Sequence, residues 1–178
     1  MTFDSKNILI VVPTLDLVNQ TLRKWSEEYI ANGITPNFFA VCSDIDKNLA
    51  KDTDSDTTSP SDLLVRCRID VDEISKFLVS DTQGPKIVLS TYASGPVLAE
   101  ATRKAGFEFD LAIMDEAHNT VGKKDKKSAH LLFDENLKSK KRLFMTATER
   151  QYKRNSNNIV SMDDDSTVYG KRFHQLSF

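Results

Sequence analysis

The sequence is short of the residues that would point to a secreted, metal-bound or membrane-spanning protein. It contains two cysteines, Cys42 and Cys67, which form no CxxC pair, and three scattered histidines. This pattern signals neither a disulfide framework nor a zinc site, so we expect the cysteines to have ordinary packing roles in a reducing cytosol. No stretch approaches the roughly 20 apolar residues that cross a bilayer, and the first residues lack the layout of a secretory signal. We therefore expect a cytoplasmic protein with no membrane partner.

The charge balance has no large excess of either sign. The formal net charge is −2, with 28% charged and 39% hydrophobic residues. These values are ordinary for one globular domain, which we expect to span residues 1–178. They argue against a protein that binds nucleic acid through its overall charge, although local lysines and backbone amides can still grip phosphates.

Apolar runs alternate with segments of helical periodicity along the chain. The runs typical of buried parallel strands lie at residues 7–12, 37–42, 86–90, 109–114 and 141–145. The amphipathic segments that separate the first four runs lie near residues 15–29, 70–78 and 94–105. This alternation predicts an α/β fold, in which helices cover both faces of a parallel sheet.

Three further segments are polar or lack a clear periodicity. Residues 43–61 are rich in Asp, Ser and Thr, which predicts a long acidic surface loop. Residues 169–178 are interpreted as a strand or a linker that leaves the domain. A basic cluster is either a solvated surface or a contact for DNA phosphates, and its members are Lys123, Lys124, Lys126, Lys127, Lys138, Lys140, Lys141 and Arg142.

The quartet DEAH at residues 115–118 carries the most specific chemical signal, because it follows directly on the strand that ends at Met114. Side chains at the carboxyl end of a parallel strand project into the crevice where α/β sheets bind ligands. Asp115 would hold Mg²⁺ there, and Glu116 would orient and deprotonate the water that attacks a phosphate. The alternative is an acidic loop that only solvates the end of a strand.

The quartet resembles motif II of superfamily 2 DEAH-type helicases and translocases, and three other segments resemble motifs of the same family. MTAT at residues 145–148 resembles motif III, and VVPTLDLVNQ at residues 11–20 resembles motif Ia. VLSTYAS at residues 88–94 resembles the motif, called Ic here, that follows the next major strand. The resemblance implies a RecA-like domain that uses ATP and Mg²⁺.

The resemblance also implies roles for individual residues. His118, Thr146 and Thr148 would couple the nucleotide site to the path of the nucleic acid. Thr14 and Thr91 would meet the sugar-phosphate backbone, because a helix that starts at such a turn offers unpaired N–H groups. For these two threonines, helix capping by the hydroxyl is the structural alternative.

Segments between the motifs resemble the predicted helicases of restriction–modification systems, both type III and single-chain type I-like enzymes. They are residues 42–44, 109–113, 115–122, 141–148, 161–164 and 169–170. Asn119, where an arginine is frequent, and Glu149, where a proline is usual, depart from the family pattern. The resemblance implies a fragment of an ATP-dependent motor acting on double-stranded DNA. The alternatives are a non-catalytic RecA-like module that binds nucleic acid or a partner, and an RNA helicase.

The phosphate-loop pattern G-x-x-x-x-G-K-[ST] is absent from the 178 residues. The resemblance implies that this loop and the second RecA-like domain belong to the rest of a parent chain, and that the sequence ends near the interdomain linker. We therefore expect the isolated fragment not to hydrolyse ATP. We also expect a strand position to be open beside residues 141–145, and to be closed by residues 169–176 or by a second copy of the chain.

Overall fold

Strands and helices alternate in the computed structural model of the chain, which describes residues 5–42, 67–151, 158–162 and 168–175. The strands are β1 (Asn7–Val12), β2 (Asn37–Val41), β3 (Cys67–Arg68), β4 (Lys86–Thr91), β5 (Leu111–Met114), β6 (Gly122–Lys123), β7 (Arg142–Phe144) and β8 (Ile159–Val160). The α-helices are α1 (Leu15–Ala31), α2 (Val71–Val79) and α3 (Gly95–Ala105), and two 3-10 helices span Ala117–Thr120 and Lys127–Leu132. The acidic loop predicted at residues 43–61 lies outside the described residues.

Six of the strands form one sheet in the order β3-β2-β4-β1-β5-β7, and every neighbouring pair is parallel. β1 lies inside the sheet, where Ile8 pairs with Ile87 of β4 on one side and Leu111 of β5 on the other. Because the strands are parallel, their carboxyl ends meet along one edge, the carboxyl edge, and their starts form the amino edge. The predicted parallel sheet is confirmed.

Helices cover both faces of this sheet, as predicted. Alternate residues of β1 point to opposite faces. Ile10 packs in the cluster that contains Val18 and Leu22 of α1. Val11 packs in the cluster of α2 and α3, whose members include Ile74 and Leu98. The central strands are therefore buried on both sides, which explains their continuous apolar sequences.

The helices begin and end at residues that satisfy their terminal backbone groups. Thr14 precedes α1 and its hydroxyl oxygen accepts the Leu17 N–H at 3.3 Å. Asp70 precedes α2 and accepts the Glu73 N–H at 2.9 Å. Gly106 ends α3 in the left-handed conformation, with φ 60°. These caps fix where the loops between strands and helices begin.

The two cysteines contradict the sequence-based expectation. Cys42 and Cys67 form a disulfide, and their Cα atoms are 5.4 Å apart. β2 and β3 are parallel neighbours in which Ala40 pairs with Cys67, so two cysteines that are 25 residues apart in sequence become adjacent in space. β3 has only two residues, and sequence periodicity did not predict it.

The expectation that residues 169–176 close the sheet is also wrong for the described residues, whereas pairing with a second copy of the chain stays a prediction. β7 ends the sheet, with β5 as its one strand neighbour in the described part of the chain. Residues 168–175 contain no strand. Instead, the Tyr169 ring lies against Phe144, and Gly170 turns the chain with φ 70°, a conformation that an extended strand does not contain.

The basic cluster is divided between the two edges. Lys123 lies in the small antiparallel ribbon of β6 and β8, close to the carboxyl edge. Lys140 lies just before β7 at the amino edge, where it pairs with Asp110. The cluster is therefore not one surface. Among the described residues, no helix is both long and apolar enough to cross a membrane.

Candidate active site

The turn after β5 is held in place by bonds to three neighbouring segments. The Asp115 N–H donates to Val11 O at 2.9 Å, which extends the pairing of β5 with β1. The buried Tyr92, which follows β4, donates its hydroxyl proton to Asp115 O at 2.7 Å. The Ala117 N–H donates to Met145 O at 2.8 Å, just after β7. The turn is therefore fixed by the ends of β1, β4 and β7.

Glu116 adopts a backbone conformation that is unusual for its residue type. It has φ 48° and ψ 47°, and it is the one non-glycine with positive φ in the described parts of the chain. This left-handed conformation costs an L-residue roughly 1–2 kcal/mol. Asn119 stabilises the turn, because its N–H and its side-chain amide both donate to Glu116 O, at 2.9 and 3.1 Å. An arginine side chain has no equivalent short amide, so the departure at position 119 has a local structural reason.

The side chain of Glu116 lies beside His118 and carries an unsatisfied polar atom. Its Oε2 lies 3.1 Å from His118 Nδ1, yet it is buried without a hydrogen bond in the described structure. The short distance and the missing bond agree if the two atoms are close but poorly aligned. A buried carboxylate oxygen without a hydrogen bond is costly, and such atoms call for an explanation.

His118 joins the turn after β5 to the segment after β7. Its Nδ1 is 2.9 Å from Thr146 Oγ1. The Thr146 hydroxyl donates its one proton to Thr148 O at 2.9 Å, and its oxygen also accepts the Thr148 N–H at 3.3 Å. Since the hydroxyl proton is already engaged, Nδ1 must be the donor in the contact with Thr146. This arrangement therefore requires the His118 tautomer that carries its proton on Nδ1.

Asp115 is placed to bind a cation at the carboxyl edge. Its Oδ1 accepts the Glu116 N–H at 3.0 Å, which orients the carboxylate and leaves Oδ2 as the second oxygen. The described residues contain no group of three or more His, Cys, Asp or Glu that could hold a metal by themselves. Magnesium commonly takes one or two carboxylates and completes its shell with water and phosphate oxygens. Asp115 with Glu116 fits that pattern.

The two threonines expected to contact nucleic acid lie at the same edge, at the ends of neighbouring strands. Val12 pairs with Thr91, and Thr14 follows two residues after Val12. Thr14 is half-buried and caps α1, whereas Thr91 is fully buried and its Oγ1 accepts the Ser94 N–H at 3.4 Å. Both hydroxyls therefore have a structural role. Thr148 is exposed, and its bonds to Thr146 involve its main chain.

Sequence reasoning missed Tyr92 and Thr120 as parts of this site. Burial and then the nearby charge of Asp115 raise the pKa of Tyr92, so its hydroxyl stays protonated and donates. Thr120 is buried and donates to Ala117 O at 2.7 Å. The available signals were a tyrosine directly after β4 and a threonine three residues after Ala117.

Comparison with known proteins identifies a family and two similar solved structures. Residues 2–151 match the family model of the type III restriction enzyme res subunit. A solved structure of a nuclease-deletion mutant of the Type ISP restriction–modification enzyme LlaGI in complex with a DNA substrate mimic matches 99% of this chain at 27% identity, with a TM-score of 0.69. The ATP-dependent Type ISP restriction–modification enzyme LlaBIII, bound to DNA, matches 93% at 27% identity, with a TM-score of 0.67.

These matches have defined limits. The chain spans 15% of the LlaGI chain and 11% of the LlaBIII chain. No curated protein sequence matches it. The family model covers most of the 178 residues, and the two enzymes share the fold across almost the whole chain. The resemblance to helicase domains of restriction–modification systems is confirmed, and the chain belongs to the family of the type III restriction enzyme res subunit.

Proposed function

We propose that this chain forms part of an ATP-dependent motor that moves on double-stranded DNA in a restriction–modification enzyme, acting in the cytoplasm. The observation that carries the proposal is the turn after β5. There, Asp115 and Glu116 lie at the carboxyl edge, and Glu116 has a left-handed backbone and a buried Oε2 without a hydrogen bond. A fold that needed only stability would gain nothing from these costs.

The two carboxylates of the turn have separate roles in this proposal. Bound Mg²⁺ and ATP would supply the reacting phosphoryl group and neutralise the charge that develops on it. Asp115 would hold the metal, for which its Oδ2 is available. Glu116 would accept a proton from the attacking water through its carboxylate, because the side chain is partly exposed at this edge although Oε2 is buried.

A path through three residues would transmit structural changes at this site to the DNA-binding face. These residues are His118, Thr146 and Thr148. The short path from His118 Nδ1 through Thr146 Oγ1 to Thr148 O supports the proposal. Any shift of Glu116 changes the position of His118, which lies 3.1 Å away. A change at Thr146 would then alter the main chain at Thr148, which is exposed at the surface.

DNA is proposed to lie across the turns after β1 and β4. The N-terminus of α1, which follows Thr14, offers the positive end of a helix dipole to a phosphate. Because the Thr91 hydroxyl is buried, backbone groups near that residue would make the contact at the second turn. The DNA complexes named for LlaGI and LlaBIII support DNA over RNA as the nucleic acid.

The phosphate-binding loop and a second RecA-like domain are proposed to come from other parts of the complete protein. In RecA-like domains, the strand that leads into this loop lies beside the strand before motif III. β7 is that strand here, and its second side has no strand neighbour among the described residues. All three residues of β7 are half-buried, whereas β1 and β4 are almost fully buried. This difference supports the proposal that another strand pairs with β7 in the complete protein.

The decisive experiment measures ATP hydrolysis by the complete protein, expressed from its whole reading frame, with and without double-stranded DNA. We expect hydrolysis that DNA stimulates, and its loss in Asp115→Asn. Asp81→Asn, which changes an exposed aspartate at the amino edge, serves as the matched control and should hydrolyse ATP normally. A complete protein without DNA-stimulated hydrolysis, or an Asp115→Asn variant with normal hydrolysis, would refute the proposal.

A further inference from the structure

The segment of residues 168–175, which we call the C-terminal segment, contacts both sides of the candidate active site. The Tyr169 hydroxyl lies 2.7 Å from Thr120 Oγ1, in the 3-10 helix that follows Glu116. The Tyr169 ring packs edge-on against Phe144 of β7, with ring centroids 5.0 Å apart. Arg172 pairs with Glu149, just beyond motif III, at 2.6 Å. One short segment therefore contacts residues close to both motif II and motif III.

The direction of the bond from Tyr169 follows from the protons available. Thr120 donates its one hydroxyl proton to Ala117 O at 2.7 Å, so Tyr169 must donate to Thr120 Oγ1. Burial raises the pKa of Tyr169 to about 12, which keeps its hydroxyl protonated near neutral pH. Two successive bonds of this kind polarise and strengthen each other.

These bonds act on the residue next to Glu116. The Ala117 carbonyl accepts from Thr120, and the Ala117 N–H donates to Met145 O at 2.8 Å. Both polar backbone groups of Ala117 are thus fixed. A strained backbone such as that of Glu116 persists only when its surroundings hold it, and Ala117 is a second point of support on the C-terminal side, beside the bonds from Asn119 to Glu116 O.

A second tyrosine holds the other end of the same turn. Tyr92 donates to Asp115 O at 2.7 Å and lies in the apolar core. Tyr169 lies outside the central sheet, in a segment that has no helix or strand in its described residues. The hydrogen bond that fixes Asp115 therefore comes from the core of the sheet, whereas the bonds that lead to Ala117 depend on where the C-terminal segment lies.

We propose that Tyr169 is a positioning residue, which holds the Glu116 turn through Thr120 and so makes the placement of that carboxylate depend on the C-terminal segment. Tyr169 does not touch the reacting atoms. The inference rests on the proposed function for its effect on hydrolysis, but the contact itself can be tested without any activity.

The first test compares variants of the complete protein in ATP hydrolysis with double-stranded DNA. Tyr169→Phe keeps the ring on Phe144 and removes one hydrogen bond, so we expect kcat to fall about tenfold at unchanged KM for ATP, while the midpoint of thermal unfolding falls by only a few degrees. Thr120→Val removes both bonds of the path and should cause at least the same loss, and the double variant should be no worse than Thr120→Val alone. Tyr29→Phe, at a half-buried tyrosine of α1, is the matched control and should behave as the unmodified protein.

The second test measures hydrogen exchange at the amides of Asn119 and Val121, which donate to Glu116 O and His118 O. We expect faster exchange in Tyr169→Phe and no change in Tyr29→Phe. Unchanged exchange would overturn the inference, and so would unchanged kcat or a loss of activity that only follows a lower unfolding midpoint. If the unmodified protein hydrolyses no ATP, the proposed function fails, and exchange alone decides whether Tyr169 holds the turn.

Discussion

The carboxylates at the two edges of the sheet differ in how fully they are hydrogen-bonded. At the amino edge, Asp110 accepts from the N–H groups of Lys6 and Asn7, at 3.0 and 2.9 Å, and from Lys140 Nζ at 2.6 Å. Lys86, also at that edge, is buried, and its Nζ donates to two carbonyl groups at the end of α2, one of them Leu78 O at 2.7 Å. At the carboxyl edge, Glu116 keeps a buried oxygen without a hydrogen bond and a left-handed backbone.

We infer that the difference separates residues that stabilise the fold from residues proposed to serve chemistry. Saturated charges at the amino edge join β1, β5, β7 and α2, so their removal should lower stability. Buried polar atoms without a hydrogen bond occur at both edges in the described residues, among them Ser139 Oγ and Arg142 Nε at the amino edge, but Glu116 alone combines such an atom with a left-handed backbone. Each of the following substitutions tests whether stability and ATP hydrolysis depend on residues at different edges of the sheet.

The largest effect is expected from Glu116→Gln in the complete protein. The amide keeps the shape of the side chain but cannot accept the proton of water, so ATP hydrolysis should fall by about 10²- to 10⁴-fold. ATP binding and the free energy of unfolding should stay close to their original values, because no hydrogen bond to Oε2 is lost. Rates of hydrolysis and equilibrium binding of a nucleotide provide the measurement. Normal hydrolysis in this variant would remove the basis for the role of Glu116.

Thr146→Val should have the next largest effect on activity. The substitution removes the hydroxyl between His118 and Thr148 while it keeps a similar volume. We expect DNA-stimulated hydrolysis to fall about tenfold, the equivalent of one hydrogen bond. Thr148→Val is the control, since the bonds of Thr148 to Thr146 use the main chain, and it should have a smaller effect. Equal losses in both variants would contradict the path through Thr146.

Lys86→Met should change stability and leave chemistry intact. Without the ammonium group, two carbonyls at the end of α2 lose a buried donor, which should lower the free energy of unfolding by about 1–3 kcal/mol. Denaturant unfolding of Lys86→Met and of Lys76→Met, an exposed lysine on α2, measures the difference. If both variants are equally stable, the buried contacts of Lys86 contribute nothing.

The smallest effect is expected from Asp110→Asn, and it should depend on pH. Burial alone would raise the pKa of Asp110, but the bonds from Lys140, Asn7 and Lys6 outweigh it and lower the pKa. A carboxyl whose pKa is lower in the folded state contributes stability above its unfolded pKa, about 3.9. That contribution is lost as the pH falls through the lower folded value. Unfolding free energies of the two proteins should therefore differ by about 1 kcal/mol near pH 7 and converge in acid. A difference that persists at low pH would contradict this explanation.

Much of the fold could be predicted from the sequence, because local signals and the global structure agree there. The apolar run at residues 7–12 became β1, and the capping residues Thr14 and Asp70 mark the starts of α1 and α2. The strand predicted at residues 109–114 is shorter, since Phe109 makes only an isolated bridge with Ser139. Signals of this kind lie within a few residues and need no knowledge of distant contacts.

The features that sequence reasoning missed depend on contacts between distant segments. The disulfide requires β2 and β3 to be neighbours, and spacing alone gave no sign of it. Residues 169–175 do not form a strand because Tyr169 and Arg172 bind Thr120 and Glu149, far away in sequence. The motifs predicted Asp115, Glu116 and His118 as site residues. The left-handed turn at Glu116 and the bonds of Asn119 could not be predicted, because they depend on the three-dimensional structure.

One paired measurement tests the separation of the two edges most directly. DNA-stimulated ATP hydrolysis and the free energy of unfolding are measured on the same preparations of Glu116→Gln and Lys86→Met, in the complete protein. We expect Glu116→Gln to lose hydrolysis at unchanged stability, and Lys86→Met to lose stability while its folded fraction hydrolyses ATP at the original rate. A Glu116→Gln protein that hydrolyses normally, or a Lys86→Met protein whose folded fraction is equally inactive, would contradict the account.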